Sequence, residues 1–329
     1  MKHTVARRCI VMSLLVGVLL PLNGSSIASA ATHGHFDGPG AVAVCAGRVW
    51  VTNSSDSPER PVDNSVTEIN ETTGAVIRVL DSDSFDFAQP VAFGCGGDHL
   101  WVVDKGFIAG EGDAVTEINA TSGRLIRVVS SLSDQFDSPD AIALGGSHVW
   151  ITNGATPVQP PAFGGAVGNS VTELNATTGS LVRVISDPKD KINYADAVVT
   201  LGSHVWVGSL NALSELNSSN GSLVRVIKAA GTIQSSPTAL TVAGSNLWEA
   251  TVSSVTERSG TTGASLRTVS ADGHPHNGID GISSNNSDVW VANIDNSVSE
   301  VNATTGKRVR VINAAADKLD DSPRHRTLR

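Results

Sequence analysis

The sequence predicts an all-β fold, a β-propeller of six detectable four-stranded blades, with a truncated seventh as the alternative to a short tail. Three observations carry this. The chain of 329 residues has six tryptophans, Trp50, Trp101, Trp150, Trp206, Trp248 and Trp290, spaced 51, 49, 56, 42 and 42 residues apart. A repeat period of about 40–50 residues marks a repeat architecture. Each tryptophan is followed by the same phrase, NSVTELNATTGSLVRVI in its clearest copy (169–185). Its glutamates are Glu68, Glu117, Glu173, Glu215, Glu257 and Glu300; its glycines are Gly74, Gly123, Gly179, Gly221, Gly263 and Gly306; its arginines are Arg78, Arg127, Arg183, Arg225, Arg267 and Arg310. Every unit also divides into four short strand-like runs separated by turn residues, with no sustained helical periodicity. Closure into a ring would hide sheet edges. A β-solenoid is the competing architecture, but its repeats are usually shorter and it wants distinct caps.

The elements run in order as follows. Residues 1–30 read as a secretory leader: Lys2, Arg7 and Arg8 precede an apolar run from Cys9 to Leu20, and Ala28-Ser29-Ala30 offers a cleavage site. The Arg7-Arg8 pair leaves the export route, general or twin-arginine, open. Blades are expected at about 36–86, 87–135, 136–192, 193–234, 235–276 and 277–313, with a tail over 314–329. The third unit shows the pattern best. Asp140–Leu144 alternates as an inner strand, Gly145-Gly146-Ser147 turns the chain, and His148–Thr152 forms the second strand. After a variable loop, Ser170–Leu174 is the third strand, Asn175–Gly179 the hairpin turn, and Leu181–Ile185 the outer strand. The tail contains Asp320-Asp321-Ser322-Pro323, which copies the opening Asp137-Ser138-Pro139. Either six blades close with a short tail, or a seventh is incomplete.

Charge limits the partners. Without Lys2, Arg7 and Arg8 the formal charge of −9 becomes −12, which argues against nucleic acid and anionic membranes. No later apolar run is long enough to span a bilayer, and a soluble exported monomer is expected. Cys45 and Cys95 would meet an oxidising compartment, either as a disulfide or as two separate buried thiols.

The repeated residues read as structural. Tryptophan on the second strand suits the wedge between blades. Glutamate and arginine flank one hairpin and would pair across adjacent strands if Glu173 lies opposite Arg183. His99, His148 and His204 share a position held elsewhere by Arg48, Asn246 and Asp288, which reads as a turn-proximal surface site rather than a metal cluster. The Asn-x-Ser/Thr sites at Asn70, Asn119, Asn175, Asn217 and Asn302 fall in the hairpin turn, where turn propensity explains them.

Departures from the repeat are where function is expected. The tryptophan-to-glutamate spacing is 18, 16 and 23 in units one to three but 9, 9 and 10 in units four to six. The long loops Asn53–Asn64, Asp104–Asp113 and Asn153–Asn169 would build a wall over half of one end. Asp104, Lys105, Glu111, Asp113 and Phe163 are its candidate ligand-binding residues. Asp81, Asp83 and Asp86 place three carboxylates together, chemistry suited to calcium or magnesium, although solvated acids read equally simply. His274, His276 and Asp280 form the candidate set for metal binding or general-base catalysis.

Trp50-Val-Thr-Asn53, Trp150-Ile-Thr-Asn153 and Trp290-Val-Ala-Asn293 resemble the signature of YVTN-type propeller repeats, with Trp in place of Tyr, over about residues 36–313. More distantly the blades resemble virginiamycin B (streptogramin) lyases. That likeness implies a metal-assisted elimination by His and Glu on one face. Both resemblances imply a ring that commonly has seven blades. Neither fixes function, because one fold serves many. The favoured expectation is a secreted, non-enzymatic propeller that binds a protein or small ligand through its loop-rich face. The alternative is a metal-assisted lyase or hydrolase.

Overall fold

A computed structural model describes residues 36, 38–54, 64–106, 112–130, 136–154, 169–228, 236–269, 279–293 and 297–313. The candidate residues Glu111, Phe163, His274 and His276 lie outside them, as does the tail after Asn313. Six antiparallel four-stranded sheets succeed one another in a six-bladed β-propeller. Blade one is β1 (Pro39–Cys45), β2 (Arg48–Asn53), β3 (Ser65–Asn70) and β4 (Val76–Asp81). Blade two is β5 (Pro90–Gly96), β6 (His99–Asp104), β7 (Ala114–Asn119) and β8 (Leu125–Val129). Blade three is β9 (Pro139–Gly145), β10 (His148–Gly154), β11 (Asn169–Asn175) and β12 (Leu181–Ile185). Blade four is β13 (Ala197–Leu201), β14 (His204–Ser209), β15 (Ala212–Asn217) and β16 (Leu223–Lys228). Blade five is β17 (Pro237–Ala243), β18 (Asn246–Thr251), β19 (Val255–Ser259) and β20 (Ser265–Val269). Blade six is β21 (Ile279–Ser284), β22 (Asp288–Asn293), β23 (Ser297–Asn302) and β24 (Arg308–Asn313).

Each sheet is a meander whose order follows the sequence. The inner strand of the third unit begins one residue before its alternation suggests. A register shift between Ile151 and Asn153 brings Pro139 opposite Asn153. Two helical turns interrupt the all-β reading: α1 (Ser82–Phe85) and a 3-10 turn at Pro188–Asp190. Asp81 caps α1, its side chain accepting from the Ser84 amide, and Phe85 is buried and stacked on Phe87. Local capping and one aromatic pair thus make a helical turn too short for periodicity to show.

The hairpins follow the turn chemistry of the phrase. The Asn175 carbonyl accepts from the Gly179 amide, and its side chain accepts from the amides of Thr177 and Thr178. Asn70, Asn119, Asn217 and Asn302 cap their own turns in the same way. Trp50, Trp101, Trp150, Trp206 and Trp248 are completely buried, each packed against the second strand of the next blade: Trp50 on Leu100 and Val102, Trp150 on Val205 and Val207. Each buries about 200 Å², roughly 5 kcal/mol of gross apolar transfer. The blade interfaces, rather than one central core, hold the ring.

In all six blades the glutamate lies opposite the arginine, Glu173 opposite Arg183 among them. Arg127 Nε is 2.6 Å from Glu117 and Arg183 Nε is 2.7 Å from Glu173. Five of these arginines also donate to backbone carbonyls of the next blade: Arg78 to Ser122, Arg127 to Thr177, Arg183 to Ser219, Arg225 to Thr261 and Thr262, and Arg267 to Ala303 and Thr304. A disulfide between Cys45 and Cys95 ties the inner strands of blades one and two.

Candidate functional site

At or next to the ends of the second strands β2, β6, β10 and β22 stand Asn53, Asp104, Asn153 and Asn293, all buried. The three asparagines use their amides to hold their own blade: Asn153 donates to Ser170 and Thr172, Asn53 to Ser65 and Thr67, and Asn293 to Ser297 and Ser299. Blade two has Asp104 instead. Its carboxylate accepts from the amides of Ala88 (2.7 Å) and Gln89 (2.6 Å) in the connection entering the blade. Burial raises this carboxyl to about 7 against the pull of those two amides, with Asp86 and Asp113 adding to the rise. Asp113 accepts from Gly106 (2.7 Å) in its own loop and from Ser138 (2.9 Å) at the entrance to blade three. Both carboxylates expected to meet a ligand therefore anchor backbone. They also show that the connections between blades and the loops between second and third strands share one end of the propeller.

At that end Lys105 reaches from blade two to blade three. Its ammonium lies 2.5 Å from Asp140, and each side chain keeps about a quarter of its surface exposed. Burial raises the Asp140 carboxyl, Lys105 opposes the rise, and Asp113 adds to it. Asp196, at the entrance to blade four, is exposed. The surrounding protein and then Asp140 push its carboxyl to about 6, against Lys105. Asp280 lies in β21 at the position that Asp140 holds in β9. Lys105 is thus set near Asp113, Asp140 and Asp196, where β9 and β13 begin. This arrangement can receive a ligand carrying a cationic group and hydrogen-bond donors.

The acidic run Asp81, Asp83 and Asp86 lies on and around the short helix α1. Asp81 caps α1, Asp83 sits exposed in its first turn, and Asp86 terminates it with a left-handed backbone, φ 60°. Among the described residues no group of three His, Cys, Asp or Glu side chains is arranged to hold a metal ion. No described helix is long and apolar enough to cross a membrane.

Sequence reasoning missed one set of residues. His99, His148 and His204 are not merely turn-proximal: their Nδ1 atoms lie 2.5, 2.7 and 2.9 Å from Glu117, Glu173 and Glu215. Arg48 (3.1 Å) and Asn246 (2.7 Å) hold the same place on Glu68 and Glu257. Five of the six buried glutamates, all but Glu300, thus have donor groups on both flanking strands, and a carboxylate can accept several. The signal was present as a position that accepts Arg, His and Asn, all donors. A cleft of about 480 Å³ opens at the opposite end between blades five and six, lined by Asn246, Glu257, Arg267, Asn286 and Thr304. Its charged groups are already engaged in the Glu257–Arg267 pair and the bonds to blade six.

No family model matches the chain, and no curated protein matches it.

Proposed function

We propose that the protein is an exported, non-enzymatic β-propeller that captures a protein or small ligand carrying a cationic group at the end where Lys105, Asp140 and Asp196 meet. One observation carries this reading. The Lys105–Asp140 pair and the open Asp196 are charged groups outside the repeat, left accessible at a single end. The six Glu–Arg pairs, by contrast, are spent on the sheets and their joins. The three longest connections between second and third strands leave this same end, and binding elaborations concentrate in such loops. The leader-like residues 1–30 support export, and N-terminal sequencing of the secreted protein is expected to begin at Ala31. The Trp-Val-Thr-Asn segments support a relationship to YVTN-type propellers, whose fold carries many roles.

The test is an array of cationic peptides and amino sugars probed with labelled residues 31–329. Asp196→Asn, Lys105→Ala and a deletion of 155–168 are run beside it. Loss of the Asp196 charge is expected to weaken the best hit by roughly 1 kcal/mol, with stronger salt dependence in the parent protein, whereas Lys105→Ala, which removes a like charge, should leave a cationic hit as tight or tighter. Hits that survive all three changes at full affinity would remove this site as the binding surface.

A further inference from the structure

We propose that the segment of this chain beginning at Pro323 lodges as an added inner strand between blade six and blade one. The proposal does not depend on the ligand reading above. Successive inner strands pack against each other from β1 through β5, β9, β13 and β17 to β21, but β21 and β1 lack that packing.

Both faces at this join carry the residues of a blade interface. On blade six, Trp290 is only half-buried, whereas the other five tryptophans are wholly buried. Ala292 is exposed where Thr52, Val103, Thr152 and Ala250 are buried. Arg310 pairs with Glu300 and stacks on Trp290, yet its side chain is 59% exposed, against 28–38% for the other five arginines. On blade one, Val42 and Val44 are 66% and 58% exposed, and Val49 and Ile69 are half-buried. The residues equivalent to Val49, which are Leu100, Val149, Val205, Leu247 and Val289, are completely buried. A Cβ at Gly74 would meet nothing within 4 Å, whereas an arginine of the preceding blade lies over Gly123, Gly179, Gly221 and Gly306. These are the two halves of an interface that the chain builds five times, standing unpacked.

The spacing of the chain names the occupant. Residues 314–322 separate Asn313, the end of β24, from Pro323; residues 130–138 separate Val129 from Pro139, and 270–278 separate Val269 from Ile279. Proline begins β1, β5, β9 and β17. Ser322-Pro323 repeats the Ser138-Pro139 and Ser236-Pro237 entries. In that register Leu328 takes the position of Cys95 and Leu144, the residues that face the preceding blade, so it would meet the Trp290 and Val298 face. Arg324, Arg326 and Arg329 also give this segment positive charge on a chain of net charge −9, a favourable balance for docking onto its own body.

The native disulfide supplies a ruler. Cys45, opposite Arg48 in blade one, bonds Cys95 in blade two. Moved to the open join, the same pair of positions is Asn285, whose amide bonds the Asp288 carbonyl, and Leu328. In the full chain, Asn285→Cys with Leu328→Cys is expected to form an intramolecular disulfide in the monomer, found by peptide mapping. Independently, Leu328→Glu in the full chain should raise acrylamide quenching of fluorescence, because Trp290 is the one tryptophan with exposed surface. Both results together support the proposal. An absent bond, or quenching unchanged by Leu328→Glu, overturns it. A bond found only between two chains overturns it in favour of a second copy, and shielding of Trp290 that appears only on adding another protein overturns it in favour of an outside partner.

Discussion

Gly179 lies beneath Arg127 of the preceding blade: a Cβ at Gly179 would stand 2.6 Å from the arginine Cδ. The glycine serves twice, since its φ of 71° is also left-handed. Gly74 has nearly the same backbone, φ 69°, and a Cβ there would meet nothing within 4 Å. Ala at either site costs about 1 kcal/mol for the backbone. Gly179→Ala should cost about 1–3 kcal/mol more, because the arginine must move off its bond to Thr177. Urea unfolding of the two variants checks this; equal losses would mean that the arginine crossing imposes nothing.

The disulfide should matter through the chain it closes. Cys45 and Cys95 are 50 residues apart, and fixing a loop of that length removes unfolded-state entropy worth about 4 kcal/mol in the chain-entropy account. Cys45→Ser with Cys95→Ser is expected to lower stability by about 2–4 kcal/mol. Chemical unfolding with and without reductant should show the same loss in the parent protein and no effect of reductant in the double variant.

How much of this was legible in the sequence depends on what a residue's neighbour is. Glu173 and Arg183 flank one hairpin, so their pairing follows from strand register alone, and six copies of the spacing made it visible. The donor to the other side of Glu173 comes from β10, across a loop of variable length, and its identity changes from blade to blade. Arg48, His99 and Asn246 share a function rather than a side chain, so the position looked unconstrained. Asp104 and Asp113 read as free carboxylates in a long loop. A lone sequence cannot distinguish an acid facing solvent from one accepting backbone amides of a neighbouring connection, as these do. The open join was illegible for a related reason. Val42 and Val44 fit the interface pattern fully, and only the arrangement in space shows that they stand exposed beside the described blades.

The pH dependence of stability should carry the mark of Asp104. Its folded carboxyl is raised from 3.8 to about 7, first by burial. Between those values the folded state holds a proton that the unfolded chain has released. The unfolded state then binds fewer protons, so stability falls as pH rises. The contribution is full below about pH 3.8 and gone above about pH 7. Asp140, Asp196, Glu173 and Glu215 are also raised, chiefly by burial, and give a common downward trend. Asp104→Asn removes one titrating group and also one amide acceptor, so the slope decides rather than the level. Melting temperature from pH 4 to 7 should fall less steeply in the variant. Parallel profiles would mean that Asp104 ionises normally.

Blade six offers the sharpest test of the two-sided glutamate. Glu68, Glu117, Glu173, Glu215 and Glu257 have a donor from the second strand, namely Arg48, His99, His148, His204 and Asn246. Glu300 faces Asp288 at that place, an acceptor when ionised, and keeps Arg310 as its cross-strand partner. Two carboxylates in neighbouring register positions repel, and Glu300 lacks the second-strand donor group that stands within 3.1 Å of each of its five counterparts. Asp288→Asn changes the group into a donor of the kind seen at Asn246, with almost no change of volume. A hydrogen bond to a carboxylate is worth about 1.5–3 kcal/mol before the ordering of two side chains is charged against it, so a net gain of about 0.5–1.5 kcal/mol is expected. Asp288→Ala separates the two contributions: it relieves repulsion without adding a donor and should gain less. Urea unfolding of the two variants against the parent measures both. A loss of stability in Asp288→Asn would show that the second donor is not what the buried glutamates require.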